Sequence, residues 1–165
     1  MNYEKISASD TDSIKELSDM ATEIVKEHFD SIIGAAQNEY MIRRFQSVSA
    51  ITEQLEHDYQ YYFVSDIAEK KVGFLAFYPR GNELYLSKFY LQKAQRGKGI
   101  ARDMLQFVIQ RAQEDGLSSI TLNVNKNNSA VLAYEKLGFK KIREEKNDIG
   151  NGFFMDDFVY EYLIK

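Results

Sequence analysis

One stretch leaves the chain few ways to fold. NELYLSKFYL (residues 82–91) alternates apolar and polar side chains as a half-buried strand does. A short polar junction follows, Gln95-Arg96-Gly97-Lys98-Gly99, and then IARDMLQFVIQRAQE (100–114). In that run Ile100, Met104, Phe107, Val108 and Ala112 recur at helical spacing, while Arg102, Asp103, Gln106, Gln110 and Arg111 fall on the other side. Gly116 ends the helix, and SSITLNV (118–124) reads as a second strand. A strand–helix–strand unit of this length is a right-handed crossover, and it pairs its two strands in parallel.

The flanking sequence extends that unit. A short strand is expected around Tyr3–Ile6. It is followed by a helix that opens among Ser9-Asp10-Thr11-Asp12 and carries Ile14, Leu17, Ile24 and Val25. Residues 38–46 and 50–58 read as two further helices, the second opening after Ser47 or Ser49. YYFVSDI (61–67) and KVGFLAFYP (71–79) are strands joined by Ala68-Glu69-Lys70-Lys71, and the Arg80-Gly81-Asn82 turn leads into the crossover. After it come a short helix in NNSAVLAYEKL (127–137), with Asn at its N-cap and Gly138 past its end, and two strands around Asp148-Ile149-Gly150-Asn151-Gly152. Strands joined by short turns are antiparallel, so the sheet is mixed. The fold class is α/β (α+β): six or seven mostly antiparallel strands flanked by helices, in a single domain over 1–165.

Composition narrows the chemistry. There is no Cys, which excludes disulfides, thiolate metal sites and a cysteine nucleophile. The two His, His28 and His57, are far apart, so neither a histidine metal site nor a Ser-His-Asp triad is expected. The net charge of −4 argues against a nucleic-acid binder and mildly favours a cationic substrate. MNYEKIS has no apolar signal core and no run reaches membrane-spanning length, so the expected location is the cytoplasm.

The glycine junction has the makings of an anion cradle. A helix start offers unpaired N–H groups and a positive dipole end, glycines let successive N–H groups converge, and Arg96 and Lys98 add charge. A P-loop needs four residues between its first Gly and Gly-Lys, followed by Ser or Thr, and Gly97-Lys98-Gly99-Ile100 does not fit. A dinucleotide fingerprint needs Gly three residues after Gly99, where Arg102 stands.

Arg96-Gly97-Lys98-Gly99-Ile100-Ala101 resembles the R/Q-x-x-G-x-G/A signature of the GCN5-related N-acetyltransferases (GNAT). Asn127-Asn128-Ser129-Ala130-Val131-Leu132-Ala133-Tyr134-Glu135-Lys136-Leu137-Gly138-Phe139 is similar to that family's N-x-x-A-x-x-x-Y-x-x-x-G-F segment. The motifs cover roughly residues 60–145. The chain as a whole is loosely similar to bacterial spermine/spermidine (PaiA-type) acetyltransferases, through YMIRRFQSVSAITEQL (40–55) and YLSKFYL (85–91) among other stretches.

The resemblance implies a GNAT fold with a splayed parallel pair at the cofactor site and acetyl-CoA as co-substrate, with no metal. By that resemblance Arg96, Gly97, Lys98, Gly99, Ile100 and Ala101 hold the pyrophosphate. Phe89, Tyr90 and Leu91 pair with the pantetheine arm like an added strand, and Asn123 and Asn127 complete the cofactor contacts. A strand N–H near Tyr90 or Leu91 would stabilise the oxyanion of acyl transfer. Tyr134 takes the family's general-acid position, and Glu83 is a candidate general base through a water. Without a Cys, transfer is direct.

The acceptor expected first is a small amine or polyamine, and second a protein N-terminus or lysine. A CoA-binding module without turnover is the reading from another class. No nucleic-acid or membrane partner is expected, and a homodimer stays open. Tyr59, Tyr61 and Tyr62 are expected on the acceptor side. Asp156 and Asp157, adjacent on a strand, must point to opposite faces, and one of them could meet an ammonium; an exposed edge strand explains the pair as well.

Overall fold

The computed structural model describes residues 1–164. In chain order the elements are β1 (Asn2–Ile6), α1 (Thr11–Ile33), α2 (Ala35–Phe45), α3 (Val48–Leu55), β2 (Gln60–Ser65), β3 (Lys71–Arg80) and β4 (Glu83–Leu91). A 3-10 turn at Lys93–Gln95 leads to α4 (Ile100–Glu114), β5 (Ser119–Asn125), α5 (Ala130–Leu137), β6 (Lys140–Gly150) and β7 (Phe153–Leu163). The seven strands run in the order β1-β2-β3-β4-β5-β7-β6. The chain packs as two compact units: Met1–Tyr78 with Lys88–Met104, and Pro79–Ser87 with the chain from Leu105 onward.

In the first unit β1, β2 and β3 form an antiparallel meander, with Tyr3 opposite Val64 and Phe63 opposite Phe74. Strand alternation sends Tyr61, Phe63, Phe74 and Ala76 to one face, where Ile14, Leu17, Ala21 and Ile24 of α1 and Ile51 of α3 cover them. Tyr62, Val64, Leu75 and Phe77 are buried as well, and the Tyr62 and Phe77 rings stack at 5.8 Å. Both faces of β2 and β3 are therefore covered, which is why these two strands read as nearly continuous apolar runs. Asp10 caps α1 by accepting from the Ser13 N–H at 3.1 Å, and Ser47 caps α3 by accepting from the Ala50 N–H at 3.2 Å.

In the second unit the start of β4 pairs in parallel with β5: Glu83 with Ser119, Leu84 with Ile120 and Tyr85 with Thr121. The pairing stops there, although β4 runs on to Leu91 and β5 to Asn125. β5 pairs antiparallel with β7 from Ser119–Leu163 to Asn125–Asp157, and β7 pairs antiparallel with β6.

Several sequence expectations shift. β7 is an inner strand between β5 and β6, so an exposed edge does not explain Asp156 and Asp157; the edge is β6, whose charged run and irregular register at Lys141/Arg143 blunt it. The last hairpin turns on Asn151-Gly152 alone, both at positive φ, because its strands extend to Gly150 and from Phe153. The helices expected at 38–46 and 50–58 begin earlier, at Ala35 and Val48. Asn is not the N-cap of α5: Ser129 holds that place without a side-chain bond, and Asn128 Oδ1 accepts from the Ala130 N–H at 2.9 Å. The buried side of α4 includes Leu105 and Ile109, and Phe107 and Ile100 are only partly covered.

Candidate active site

The junction expected to bind an anion lies in the first unit. Gly97 and Gly99 have φ of 79° and 81°, a region in which a Cβ is strained, yet a Cβ at either would meet nothing within 4 Å. The glycines are there for the path of the backbone and not to relieve crowding. Residues 96–99 are exposed, and the N–H groups of the first turn of α4 have no intrahelical acceptor. Arg96 Nη2 donates to the Leu91 carbonyl at 3.1 Å, which fastens the loop back to the end of β4. Asp103, in the first turn of α4, accepts from Tyr3 OH. Burial and that carboxylate together push the Tyr3 phenol well up.

β4 brings two features that the sequence reading missed. A Cβ on Gly73 of β3 would sit 2.3 Å from the Tyr90 carbonyl oxygen and 3.2 Å from Leu91 Cα, so Gly73 permits a close backbone approach where Phe89–Leu91 run. The second feature is Lys88, 4 % exposed, with no carboxylate partner among the described residues. Its amine donates to the Phe45 carbonyl at 2.6 Å, to Gln54 Oε1 at 3.1 Å and to Tyr61 OH. Burial lowers the Lys88 amine to about 7. Strand alternation held the signal: Leu84, Leu86 and Lys88 share one side, so a lysine there had to be buried. Tyr61 and Tyr62, expected together on the acceptor side, point to opposite faces; Tyr61 belongs to the helix-covered core with Lys88.

The second unit holds the other motif. Tyr134 lies on α5, partly exposed, with its ring edge-on to Phe139 at 5.8 Å. Gly138 ends the helix with φ 106°. Asn127 is exposed, and its N–H donates to Asn125 Oδ1 at 2.9 Å.

Around Asn123 a polar network crosses four strands of this unit. Tyr85 OH on β4 donates to Asn123 Oδ1 at 3.1 Å. Asn123 Nδ2 donates to Glu145 Oε2 on β6 at 3.2 Å and to Asp157 Oδ2 on β7 at 3.4 Å. The Arg80 guanidinium lies 4.3 Å from the Tyr85 ring centroid, and its Nε pairs with Glu83 at 2.9 Å. Glu83, the candidate base, is thus engaged with a cation at the mouth of β4. Asp156 and Asp157 do face opposite ways: Asp156 pairs with Lys126 at 3.1 Å, and Asp157 is 2 % exposed beside Asn123. Burial is the main cause that pushes the Asp157 carboxyl up to about 6, with Glu145 and Asp156 adding to it. Glu145 is held below the usual range, first by its bond from Arg143.

Among the described residues no group of three His, Cys, Asp or Glu could hold a metal ion, and no helix is long and apolar enough to cross a membrane.

Comparison with known proteins agrees with this arrangement. Residues 17–155 match the family model described as Acetyltransferase (GNAT) domain. GCN5-related N-acetyltransferase 6, chloroplastic, of Arabidopsis thaliana is 36% identical over 63 residues, 38% of this chain and 22% of that protein. Human N-acetyltransferase 8B is 33% identical over 87 residues, 48% of this chain and 38% of that protein. The chain thus spans well under half the length of these two relatives.

Among solved structures, the PaiA N-acetyltransferase of Thermoplasma acidophilum in complex with coenzyme A superposes with a TM-score of 0.75 at 22% identity, over 99% of both chains. Spermidine N-acetyltransferase from Vibrio cholerae in complex with CoA and spermine gives 0.69 at 17%, over 99% of this chain and 95% of that one. At these identities the superpositions establish the fold. With a family model matched over most of its length and a seven-stranded sheet carrying the parallel β4–β5 pair, the chain belongs to the GNAT acetyltransferase domain family.

Proposed function

We propose that this protein is an acetyl-CoA-dependent N-acetyltransferase that moves an acetyl group directly to a primary amine, a small amine or polyamine. One observation carries the reading: in a GNAT-family chain, β4 runs into an exposed loop whose Gly97 and Gly99 hold positive φ with open space at their Cβ positions, and the loop opens onto the start of α4. That backbone suits a pyrophosphate, which needs converging N–H donors and room more than it needs side chains.

Acetyl-CoA supplies an acyl group already activated as a thioester. Arg96, Gly97, Lys98, Gly99, Ile100 and Ala101 hold its pyrophosphate. Phe89, Tyr90 and Leu91 offer their backbone to the amide-rich arm, and Asn127 adds a polar contact. The Asn123 side chain is already bonded at both ends, so in this reading its part is within its own network. Tyr134 gives a proton to the departing thiolate. The small-amine acceptor is supported by the net charge of −4 and by the likeness in fold to the spermidine N-acetyltransferase solved with CoA and spermine.

Calorimetric titration with coenzyme A, and mass spectrometry of spermidine incubated with acetyl-CoA and the protein, test the proposal. Saturable binding and acetylated spermidine are expected. Binding without acetylation of spermidine or of any other amine in a broad panel would overturn it in favour of a CoA-binding module.

A further inference from the structure

Three of the carboxylates near Asn123 and its neighbouring strands have basic partners among the described residues, and the fourth, Asp157, does not. Glu83 has Arg80 at 2.9 Å, Glu145 has Arg143 at 2.8 Å, and Asp156 has Lys126 at 3.1 Å. Asp157 has no Lys or Arg within ion-pair distance among the described residues, and it is the most buried of the four at 2 % exposure. Its one side-chain hydrogen bond among those residues comes from Asn123 Nδ2 at a long 3.4 Å. A carboxylate accepts about four hydrogen bonds, and a buried one without a cation is costly.

The surroundings say which chemistry would meet it. Asn123 Nδ2 is shared between Asp157 and Glu145, which fixes the amide so that Oδ1 faces Tyr85. Tyr85 OH donates to that oxygen, so its proton is engaged with Asn123. The charged and polar groups on the side of Asp157 are Glu145 on β6 and Asn123 with Tyr85 behind it, while Asp156 and Lys126, paired with each other on the opposite side, act on it only through their charges.

We propose that Asp157 receives the ammonium of the acceptor and that, held by Asn123, it is the catalytic base that removes its proton. This rests on the acetyltransferase reading and names the acceptor class, a protonated primary amine. In the step, one N–H bond of the ammonium breaks and the proton passes to an Asp157 carboxylate oxygen. The electron pair stays on nitrogen and forms the C–N bond to the acyl carbon; as the C–S bond breaks, the thiolate takes a proton from Tyr134, the nitrogen gives up its second proton to restore the Tyr134 phenol, and Asp157 passes its proton to water. A desolvated carboxylate suits this work, since burial makes it a stronger base than one in water. Asn123 is a positioning residue, and Glu83, held by Arg80, is not needed as the base.

The test follows spermidine acetylation from pH 5 to 9 in the wild type and in Asp157→Asn and Glu145→Gln, with coenzyme A affinity measured alongside. The wild type is expected to gain activity as pH rises through about 6, where Asp157 ionises. Asp157→Asn should lower kcat/KM for spermidine about a hundredfold and erase that acid limb, leaving coenzyme A affinity unchanged. Glu145→Gln should move the limb to lower pH, because the neighbouring negative charge that raises Asp157 is gone. Wild-type turnover and acid limb surviving in Asp157→Asn would overturn the proposal while leaving the acetyltransferase reading intact. If Asp157→Asn fails to fold, an unmoved limb in Glu145→Gln overturns it. If the wild type binds coenzyme A but acetylates nothing, thermal stabilisation by spermidine alone decides: a shift lost in either variant supports the cation site, and no shift in the wild type ends it.

Discussion

Asn123 and Asp157 meet through one amide N–H at 3.4 Å, and that same amide nitrogen holds Glu145 at 3.2 Å. One neutral side chain thus bridges two carboxylates from adjacent strands, of which only Glu145 has a basic partner. The imbalance appears in their protonation. Asp157 is pushed up to about 6 while Glu145 is held below the usual range, as expected when one of two neighbouring acids is desolvated and the other is bonded to an arginine.

The Asp157 shift makes a prediction about stability. The carboxyl goes from 3.8 to about 6 on folding, so the folded chain binds that proton more tightly than the unfolded chain does. The ionised carboxylate therefore costs stability above pH 6, and the cost disappears as pH falls toward 4. Asp157→Asn should melt at a higher temperature than the wild type at pH 8, with the difference fading by pH 4. An equal difference at both pH values would show that packing, not charge, sets it.

Lys88 gives the opposite case. Its amine is lowered to about 7 from 10.5, so between those values the unfolded chain holds more protons than the folded one. Folding stability tied to this residue rises as pH climbs through that window. Lys88→Met removes the buried cation, and Gln54 keeps both Tyr61 and the Phe45 carbonyl as partners. A gain on the order of 1 kcal/mol is expected at pH 6, shrinking toward pH 10. Chemical denaturation at the two pH values measures it.

Gly73→Ala should be disruptive out of proportion to its size. The added methyl would stand 2.3 Å from the Tyr90 carbonyl oxygen and 3.0 Å from Leu91 Cδ2, and the first of these is backbone that cannot swing aside. A loss of about 1–3 kcal/mol is expected, as in other overpacked interiors. Because the displaced strand is the one assigned to the cofactor arm, coenzyme A affinity should fall as well. Calorimetry and urea titration on the same variant separate the two effects.

Tyr134→Phe should leave the fold and coenzyme A affinity in place, since the ring packs edge-on against Phe139 in either case. Its turnover should fall about a hundredfold, the scale of a lost general acid. Single-turnover rates measured at saturating acetyl-CoA check this.

The crossover was legible from residues 82–124 because three signals agree there: alternation in β4, helical spacing in α4, and glycines at the junction. The antiparallel meander was legible for the same reason. What stayed hidden depends on which strand lies beside which. Nothing local in MDDFVY shows that β7 is an inner strand flanked by β5 and β6, and that neighbourhood is what buries Asp157 and brings Asn123 to it. Gly73 looked like an ordinary strand residue, since its reason lies across the sheet at Tyr90. Lys88 is the exception: its place on the side of Leu84 and Leu86 is visible in the strand alternation, although lysines mostly face water.

The most direct test of the whole account is thiol release from acetyl-CoA at pH 8, followed with a colorimetric thiol reagent, with and without spermidine. The chain has no Cys, so the protein itself gives no signal. The account predicts release that depends on the amine, saturates with it, and yields one thiol per acetylated amine. Release that is unchanged by spermidine and every other amine tried, in a protein that binds coenzyme A, would contradict it.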